Sequence, residues 1–421
     1  MRIIHLLSQI PDATGSGKYV QEMIRQSLNC GFTPYLVCGV PASFDLKDTP
    51  LAGIIAPEHC FFVRFEDRDL EFKVVGMSDV MPYPSTVCSH LDAEDVSAYL
   101  AAFERVVGQA VERFSPDLIH SNHLWMATAA ARRAAPHIPL VATCHGTCLR
   151  QHNLCPELGR SLLDDLSGID RVIALFGRQK QEISTLLDLP EERVATISGG
   201  FNSECFYADF CKPDQDTVHI LYAGKLNRAK GVPWMLRCLA GLDINNFHLH
   251  LVGGGSGPEM QECLELASEL DDRVTVHGIL SHQELGDLMR RAHIFVLPSF
   301  FEGLPLVLLE ALACGCMIVA TDLPGVNELL SSYPADVVRT VHLLPLQTID
   351  TPRSEDEPEL DKRLTVVLRD AICDIQSGVR PNSEDIEQLT AAYAWGNIFE
   401  RIMSVYAEAI ESRADEAVRG K

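Results

Sequence analysis

Two glutamates bracket the stretch Glu302-Gly303-Leu304-Pro305-Leu306-Val307-Leu308-Leu309-Glu310. Pro305 suits a first helical turn, where its missing N–H costs nothing, and Gly315 suits a helix stop. A strand ending near Pro298, a loop carrying Glu302 and Gly303, and a helix opening at Pro305 are therefore expected. The amides of Gly303, Leu304 and Leu306 would then point at an anion over the turn. Glu302, on the loop, can accept hydrogen bonds from hydroxyls beside that anion. Glu310, nearly two turns in, is placed to grip a ribose diol, a geometrically selective contact for a carboxylate. An ordinary polar helix position would also explain Glu310, but its neighbours Leu308, Leu309, Ala311 and Leu312 are apolar, and a carboxylate there needs a partner.

A second glycine turn supplies cations. In Tyr222-Ala223-Gly224-Lys225-Leu226-Asn227-Arg228-Ala229-Lys230-Gly231, Lys225 follows a strand directly and Lys230 sits at the start of the next helix. Two ammonium groups there can neutralise a diphosphate and stabilise the charge of a departing one. Arg228 reads as an ordinary surface-loop arginine. With the paired glutamates, these parts describe a nucleotide-sugar diphosphate site.

A third glycine turn, Ala13-Thr14-Gly15-Ser16-Gly17-Lys18, lies between a strand and a helix near the N-terminus. A P-loop needs glycine five positions before Gly17 and Ser or Thr after Lys18. Asp12 and Tyr19 stand there, which argues against a nucleoside triphosphatase. What survives is a niche of backbone amides for a phosphate or a sugar, or simply a tight turn.

These turns need elements to position them. Short apolar runs alternate with longer helical patterns, the signature of parallel sheets wrapped by helices. Strands are expected at Ile3–Leu7, Thr33–Cys38, Leu118–His120, Leu140–Thr143 and Arg171–Leu175, with helices near 18–30, 92–113, 124–134, 157–167 and 178–187. The pattern resets after a polar stretch at 208–216 and resumes with strands Val218–Ala223, Phe247–Val252, Arg273–His277, Ile294–Leu297 and Met317–Ala320. An α/β architecture of two Rossmann-like domains facing across a cleft follows, with ligands beyond the carboxyl ends of the strands. We place an acceptor-side domain at 1–207, a linker at 208–217 and a donor domain at 218–390. The length of 421 residues agrees, being more than one compact core usually supports.

The composition narrows the chemistry. A formal charge of −23 disfavours nucleic-acid partners, so bound phosphates must be met by a few local cations. No apolar run approaches the roughly 20 residues of a membrane span, and Met1-Arg2 enters a strand pattern without a signal peptide, so a cytoplasmic location is expected. The 14 cysteines lie in apolar runs and lack zinc-site spacing, which leaves no metal centre to expect. Asp214-x-Asp216 reads as a solvated turn, and the acidic segment Ser354 to Asp361 as an exposed loop or insertion.

Along nearly its whole length the chain resembles the GT-B glycosyltransferases of family GT4. Glu302-x7-Glu310 matches their paired glutamates, and Gly224-Lys225-Leu226…Lys230-Gly231 matches their Gly-Arg-Leu…Lys-Gly stretch. The turn Val252-Gly253-Gly254-Gly255-Ser256-Gly257-Pro258 is similar to their donor-domain glycine turn, and Val276-His277-Gly278 to the backbone segment lining the base. Leu140-Val141-Ala142-Thr143-Cys144-His145-Gly146 is similar to the strand end carrying the active-site histidine. His120 and His123, at another strand end, are given structural or acceptor-side roles. Trp395 matches the start of a C-terminal helix that crosses back to the first domain, here placed at 391–413.

The resemblance implies retaining transfer from a nucleoside-diphosphate sugar to a hydroxyl-bearing acceptor, without metal or other cofactor, the departing phosphate helping to deprotonate the acceptor. By the same resemblance Glu302 and His145 hold the sugar, Lys225 and Lys230 the diphosphate, and Glu310 the ribose. Gly15, Ser16 and Gly17 approach the substrates by their backbone, with Gly224, Gly254, His277, Gly278, Gly303, Leu304, Pro305 and Leu306 completing the donor site. Three departures stand out: Lys225 in place of arginine, Gly199-Gly200-Phe201-Asn202 in place of Asn-Gly-Val-Asp, and Leu175-Phe176 where a serine is common. The family admits membrane-bound acceptors, hence a peripheral place at the inner membrane face. The same donor cleft can also serve sugar-nucleotide epimerisation, disaccharide synthesis from a sugar phosphate, or a non-catalytic partner subunit. The segment 40–92 carries no interpretable motif.

Overall fold

The computed structural model describes residues 1–419 apart from 13, 79–80, 210–211, 213–215, 332 and 335. The chain divides into two compact units, Met1–Gly199 with Trp395–Lys421, and Gly200–Ala394. The breaks thus precede the expected linker at 208–217 and follow the expected helix start at 391. The reason is local: the amide of Phe201 donates to Tyr393 O at 3.0 Å, Arg290 Nη1 donates to Cys205 O at 2.7 Å, and Phe206 is buried in the second unit's core. Asp214 lies outside the described residues.

The first unit holds seven parallel strands: β1 (Arg2–Leu7), β2 (Thr33–Pro41), β3 (Cys60–Phe65), β4 (Leu118–Asn122), β5 (Leu140–Cys144), β6 (Arg171–Ala174) and β7 (Val194–Thr196). Their order across the sheet is β3-β2-β1-β4-β5-β6-β7. The helices are α1 (Gly15–Asn29), α2 (Ala93–Phe114), α3 (Met126–Ala134), α4 (Thr147–Leu154), α5 (Pro156–Ser167) and α6 (Gly177–Leu187). β1 is apolar at successive positions because it is buried on both faces, as a central parallel strand must be. Ile4 and Leu6 pack on the face covered by α2 and α3, and Ile3 packs on the opposite face. There it meets Trp395, Ile398, Phe399, Ile402, Val405 and Tyr406, the apolar stripe at helical spacing of the chain's last helix, Trp395–Arg419. The first unit therefore includes that C-terminal helix. β3 supplies the sheet edge from within the segment that had no interpretable motif.

The second unit carries β8 (Val218–Ala223), β9 (Phe247–Val252), β10 (Val274–Gly278), β11 (Ile294–Leu297), β12 (Met317–Thr321) and β13 (Val338–Val341), in the order β10-β9-β8-β11-β12-β13. Its helices are α7 (Val232–Ala240), α8 (Gly257–Ser268), α9 (His282–Arg291), α10 (Val307–Ala313), α11 (Pro324–Leu330), α12 (Glu357–Gln376) and α13 (Ser383–Ala391). The acidic segment is not a loop throughout. Ser354–Asp356 is one 3-10 turn, and Glu357 onward opens α12, where carboxylates suit the helix's positive end and Leu360 is buried. The helix expected from Pro305 starts at Val307 instead, leaving Gly303 to Leu306 as an irregular lead-in.

In each sheet the strand order reverses at one point, between β1 and β4 and between β8 and β11. Loops leaving neighbouring strands in opposite directions there open a crevice at the strands' carboxyl ends, where ligands of doubly wound sheets bind. Gly224-Lys225 leaves β8 and Pro298 to Glu302 leaves β11. The chemically suggestive loops of the second unit therefore flank its switch point.

Candidate active site

Backbone hydrogen bonds stitch together the loops at the carboxyl ends of β8, β9 and β10. The amide of Gly224 donates to Val252 O at 3.0 Å, Leu226 N to Gly254 O at 2.9 Å, and Gly253 N to Gly278 O at 2.8 Å. Gly224, Gly254 and Gly278 are thus brought together around Lys225, whose side chain is exposed. Gly253 has φ of +128°, and a Cβ there would collide with the Gly224 carbonyl. Gly253→Ala should cost at least about 1–3 kcal/mol, the range for a residue forced into sparsely allowed backbone. Urea unfolding reads it, and an unchanged midpoint would contradict the close approach. Beside these glycines Ile279 is 85% exposed, an apolar residue that helical and strand periodicity gave no reason to single out.

Lys230 and Glu302, assigned above to different parts of a ligand, touch one another: Nζ to Oε1 is 2.7 Å. The Lys230 amide donates to Asn227 Oδ1 at 2.9 Å, and Gly231, at φ +67°, packs so closely on the Pro298 carbonyl that no side chain fits. Phe300 N then donates to Ala229 O at 2.9 Å, joining the two loops across the switch point. On the same oxygen, Ser299 Oγ donates to Glu302 Oε1 at 2.7 Å, while Thr321 Oγ1 donates to Ser299 O at 2.5 Å. Glu302 is oriented by a hydroxyl and an ammonium at once. Its neighbour Gly303 rests its carbonyl against Gly325 in α11, which must be glycine for lack of room.

The lead-in to α10 differs from expectation in one donor. The Leu306 amide already donates to Leu304 O at 3.0 Å, so it is not available to an anion. Pro305 offers its carbonyl to Leu308 N at 3.0 Å, and Glu310 lies half-buried in the first turn of α10. Arg228 pairs with Glu262 at 2.8 Å, the ordinary surface role read for it.

His277 is drawn into a row of imidazoles. Its Nε2 meets His250 Nδ1 at 3.0 Å, and His250 Nε2 meets His219 Nδ1 at 3.0 Å, across three adjacent strands. Burial, then the neighbouring imidazoles, push His250 down to about 3. Burial first also lowers His219 and His277. The side chain of His277 is thus engaged along the sheet.

In the first unit, Thr14 caps α1, its hydroxyl accepting from Gly17 N at 3.1 Å, so Gly15 to Gly17 form the helix's first turn rather than an open loop. Gly17's amide is thereby used, and a Cβ on Gly17 would lie 2.7 Å from Pro11 O. Ser16 is buried and accepts from Gln9 Nε2 at 2.7 Å; Gly15 is exposed. Gln9 also donates to Thr14 Oγ1 at 3.1 Å and accepts from Tyr83 Oη at 3.3 Å. Gln9 and Tyr83 are organisers that no local spacing announced.

His145 follows β5, its Nε2 at 2.8 Å from Asn122 Oδ1 on the adjoining β4 and its ring edge-on to Tyr19, with centroids 4.9 Å apart. Burial, then His123 and His120, hold its pKa well below the ordinary imidazole value, so His145 is neutral at neutral pH. Asn122 accepts through Oδ1, hence Nε2 carries the proton and Nδ1 is left as an acceptor. His120 spends both nitrogens inside the fold, on Tyr406 Oη at 2.7 Å and Thr143 Oγ1 at 2.8 Å, a structural role.

Comparison with known proteins gives these loops a family. The glycosyl transferases group 1 model matches residues 217–340, and the Glycosyltransferase Family 4 model matches 14–204. A D-inositol 3-phosphate glycosyltransferase of Frankia alni is 30% identical over 285 residues, covering 58% of this chain and 69% of that protein. The gpi3 subunit of the phosphatidylinositol N-acetylglucosaminyltransferase of Schizosaccharomyces pombe is 25% identical over 269 residues, and the chain spans 55% of its length. Among solved structures, a sucrose-phosphate synthase from Thermosynechococcus elongatus superposes with a TM-score of 0.68 at 18% identity, covering 98% of this chain and 100% of that one. Anabaena HepE in complex with UDP-glucose superposes at 0.62 with 17% identity, covering 98% and 100%. With both halves matched by their family models and the two switch points carrying the motifs, the chain belongs to the GT-B glycosyltransferases of family GT4.

Proposed function

We propose that the chain moves a sugar from a nucleoside-diphosphate sugar to a hydroxyl acceptor, with retention at the anomeric carbon and without a metal. The Lys230–Glu302 pair at the β8/β11 switch point carries this reading. In the free chain the two groups hold one another at contact distance. A donor would let them part company: Lys230, with Lys225, takes the diphosphate oxygens, and Glu302 takes sugar hydroxyls. Lys230 then faces the charge that grows as the sugar–phosphate bond breaks, and a cation already in place stabilises that charge without reorganisation.

The remaining roles follow the chemistry of each group. The amides of Gly303 and Leu304 face the diphosphate, Glu310 the ribose diol, and the apolar face of Ile279 the base. His145, neutral and with its tautomer set by Asn122, is suited to a donor-sugar hydroxyl rather than to proton removal. Proton removal falls to the departing phosphate. UDP-glucose is the first donor to try, since HepE was crystallised with it.

Two experiments bear on this. UDP, UDP-glucose and their GDP and ADP counterparts are compared by thermal shift; the true base should stabilise by about 2.7 kcal/mol at a hundredfold excess over Kd. Glu302→Ala is then assayed with a radiolabelled donor panel. Transfer should fall about 10²–10³-fold, the range for removing one preorganised polar contact to the reacting group. Equal turnover of every donor by wild type and variant would sink the assignment.

A further inference from the structure

We propose that Cys144 and Cys148 form a modification site, in which oxidation by a hydroperoxide joins the two thiols in a disulfide spanning His145. Cys144 ends β5 and Cys148 lies in the first turn of α4, with His145, Gly146 and Thr147 between them. The sulfurs are 3.2 Å apart and both residues are fully buried. A disulfide bond is about 2.05 Å long, so closure moves the sulfurs together by only about 1 Å. The intervening turn has a glycine, Gly146, at φ +83°, and its three residues are half-buried.

A second observation points at the same thiol. His123 is buried, held at φ +73°, a conformation unusual for a residue with a side chain, and its Nε2 has no hydrogen-bond partner by geometry. Cys148 is the group beside it. Burial alone would raise both thiols. It does raise Cys144, whereas the hydrogen bond with Cys144, and then the nearby His123, bring Cys148 well below the ordinary thiol value. Two thiols in contact, one of them shifted toward the thiolate, are the arrangement of an oxidisable pair.

The chemistry balances. The Cys148 sulfur attacks one peroxide oxygen and the O–O bond breaks. The departing oxygen takes the thiol proton through His123, leaving a sulfenic acid. Cys144 sulfur then attacks Cys148 sulfur, the S–O bond breaks, and water leaves with the Cys144 proton. Two thiols give up two electrons; hydrogen peroxide becomes two waters.

Closure draws the first turn of α4 toward β5 and shifts His145 from its contact with Asn122. That consequence for turnover rests on the sugar-binding role given to His145 above; the disulfide itself does not. The full chain is treated with hydrogen peroxide, alkylated after unfolding and mapped by mass spectrometry. The peptides carrying Cys144 and Cys148 should resist alkylation, lose two hydrogens and return on reduction with dithiothreitol. Cys144→Ala should stop at a sulfenic acid on Cys148, trapped by dimedone. Donor turnover of the oxidised wild type should fall about ten- to a hundredfold, the scale of a 1 Å misplacement, and recover on reduction, while Cys148→Ala should not respond to peroxide. Full alkylation of both residues, under conditions that oxidise the exposed Cys30 and Cys373, would overturn the proposal whether or not the chain proves active.

Discussion

Lys230→Ala is expected to lower sugar transfer by about 10²–10³-fold, the cost of removing a preorganised charge from the breaking bond. Two things are lost together. The diphosphate loses a cation in a protein whose net charge is −23, where few others stand ready. Glu302, with a side chain only 12% exposed, keeps Ser299 but loses its ammonium partner. A carboxylate left so is poorly solvated, and the free chain should be destabilised by about 1–3 kcal/mol. Lys230→Arg keeps the charge but replaces a point cation by a planar fork, so it should restore folding more fully than turnover. The double variant with Glu302→Ala separates the terms. Because the groups touch, a coupling of about 0.5–3 kcal/mol is expected in stability. Strict additivity in both stability and turnover would show that the contact is incidental.

The second large effect is in acid. His5 and His120 are buried and His145 half-buried in the first unit, all with lowered pKa values, loss of solvation being the leading cause in each. For His120 the value falls from 6.5 unfolded to about 3 folded. Above the unfolded value neither state binds the proton, and stability does not depend on it. Below that value the unfolded chain takes up protons that the folded chain refuses, so stability falls with pH until the folded value is reached. The slope is about 1.4 kcal/mol per pH unit for each such histidine. Three of them acting together make the first unit acid-sensitive, and the row of His219, His250 and His277 adds the same trend in the second. Urea midpoints between about pH 7 and about pH 5 should drop steeply, and a His120→Gln variant, retaining partners for Tyr406 and Thr143, should show a shallower slope. A flat profile over that interval would refute the argument.

Much of this was written locally in the chain. Strands β1, β8, β9 and β11 are runs whose apolar character reports burial on both faces, and the two domains follow from their spacing. Lys225, Lys230 and Glu302 could be singled out as candidates because a cation or carboxylate beside a glycine turn has few structural reasons to be there, and Glu310 because its neighbours are apolar. What escaped was whatever depends on which strands become neighbours. Lys230 meets Glu302 because β8 lies beside β11, and His145 meets Asn122 because β5 pairs with β4. Short edge strands such as β3 and β13 carry mixed composition, since one side of each has no neighbour to satisfy. The start of α10 was misplaced by two residues because proline permits a helix start without compelling one. Gly15 to Gly17 were read as a turn ahead of a helix near residue 18, because glycines argue against a helix interior and mask the cap that Thr14 supplies.

The glycines at 231, 253 and 325 have a bearing on how such a chain can change over generations. Each is pinned by a neighbouring carbonyl, not by a side chain. A contact between side chains can drift, one partner shrinking as the other grows. A contact between backbones has no second site at which an error is made good. The loops around Lys225, Lys230 and Glu302 are therefore expected to be inherited as a block, while residues such as Ile279 stay free to vary. New donor preferences would then arise by exchange of side chains on a scaffold that itself tolerates almost no revision.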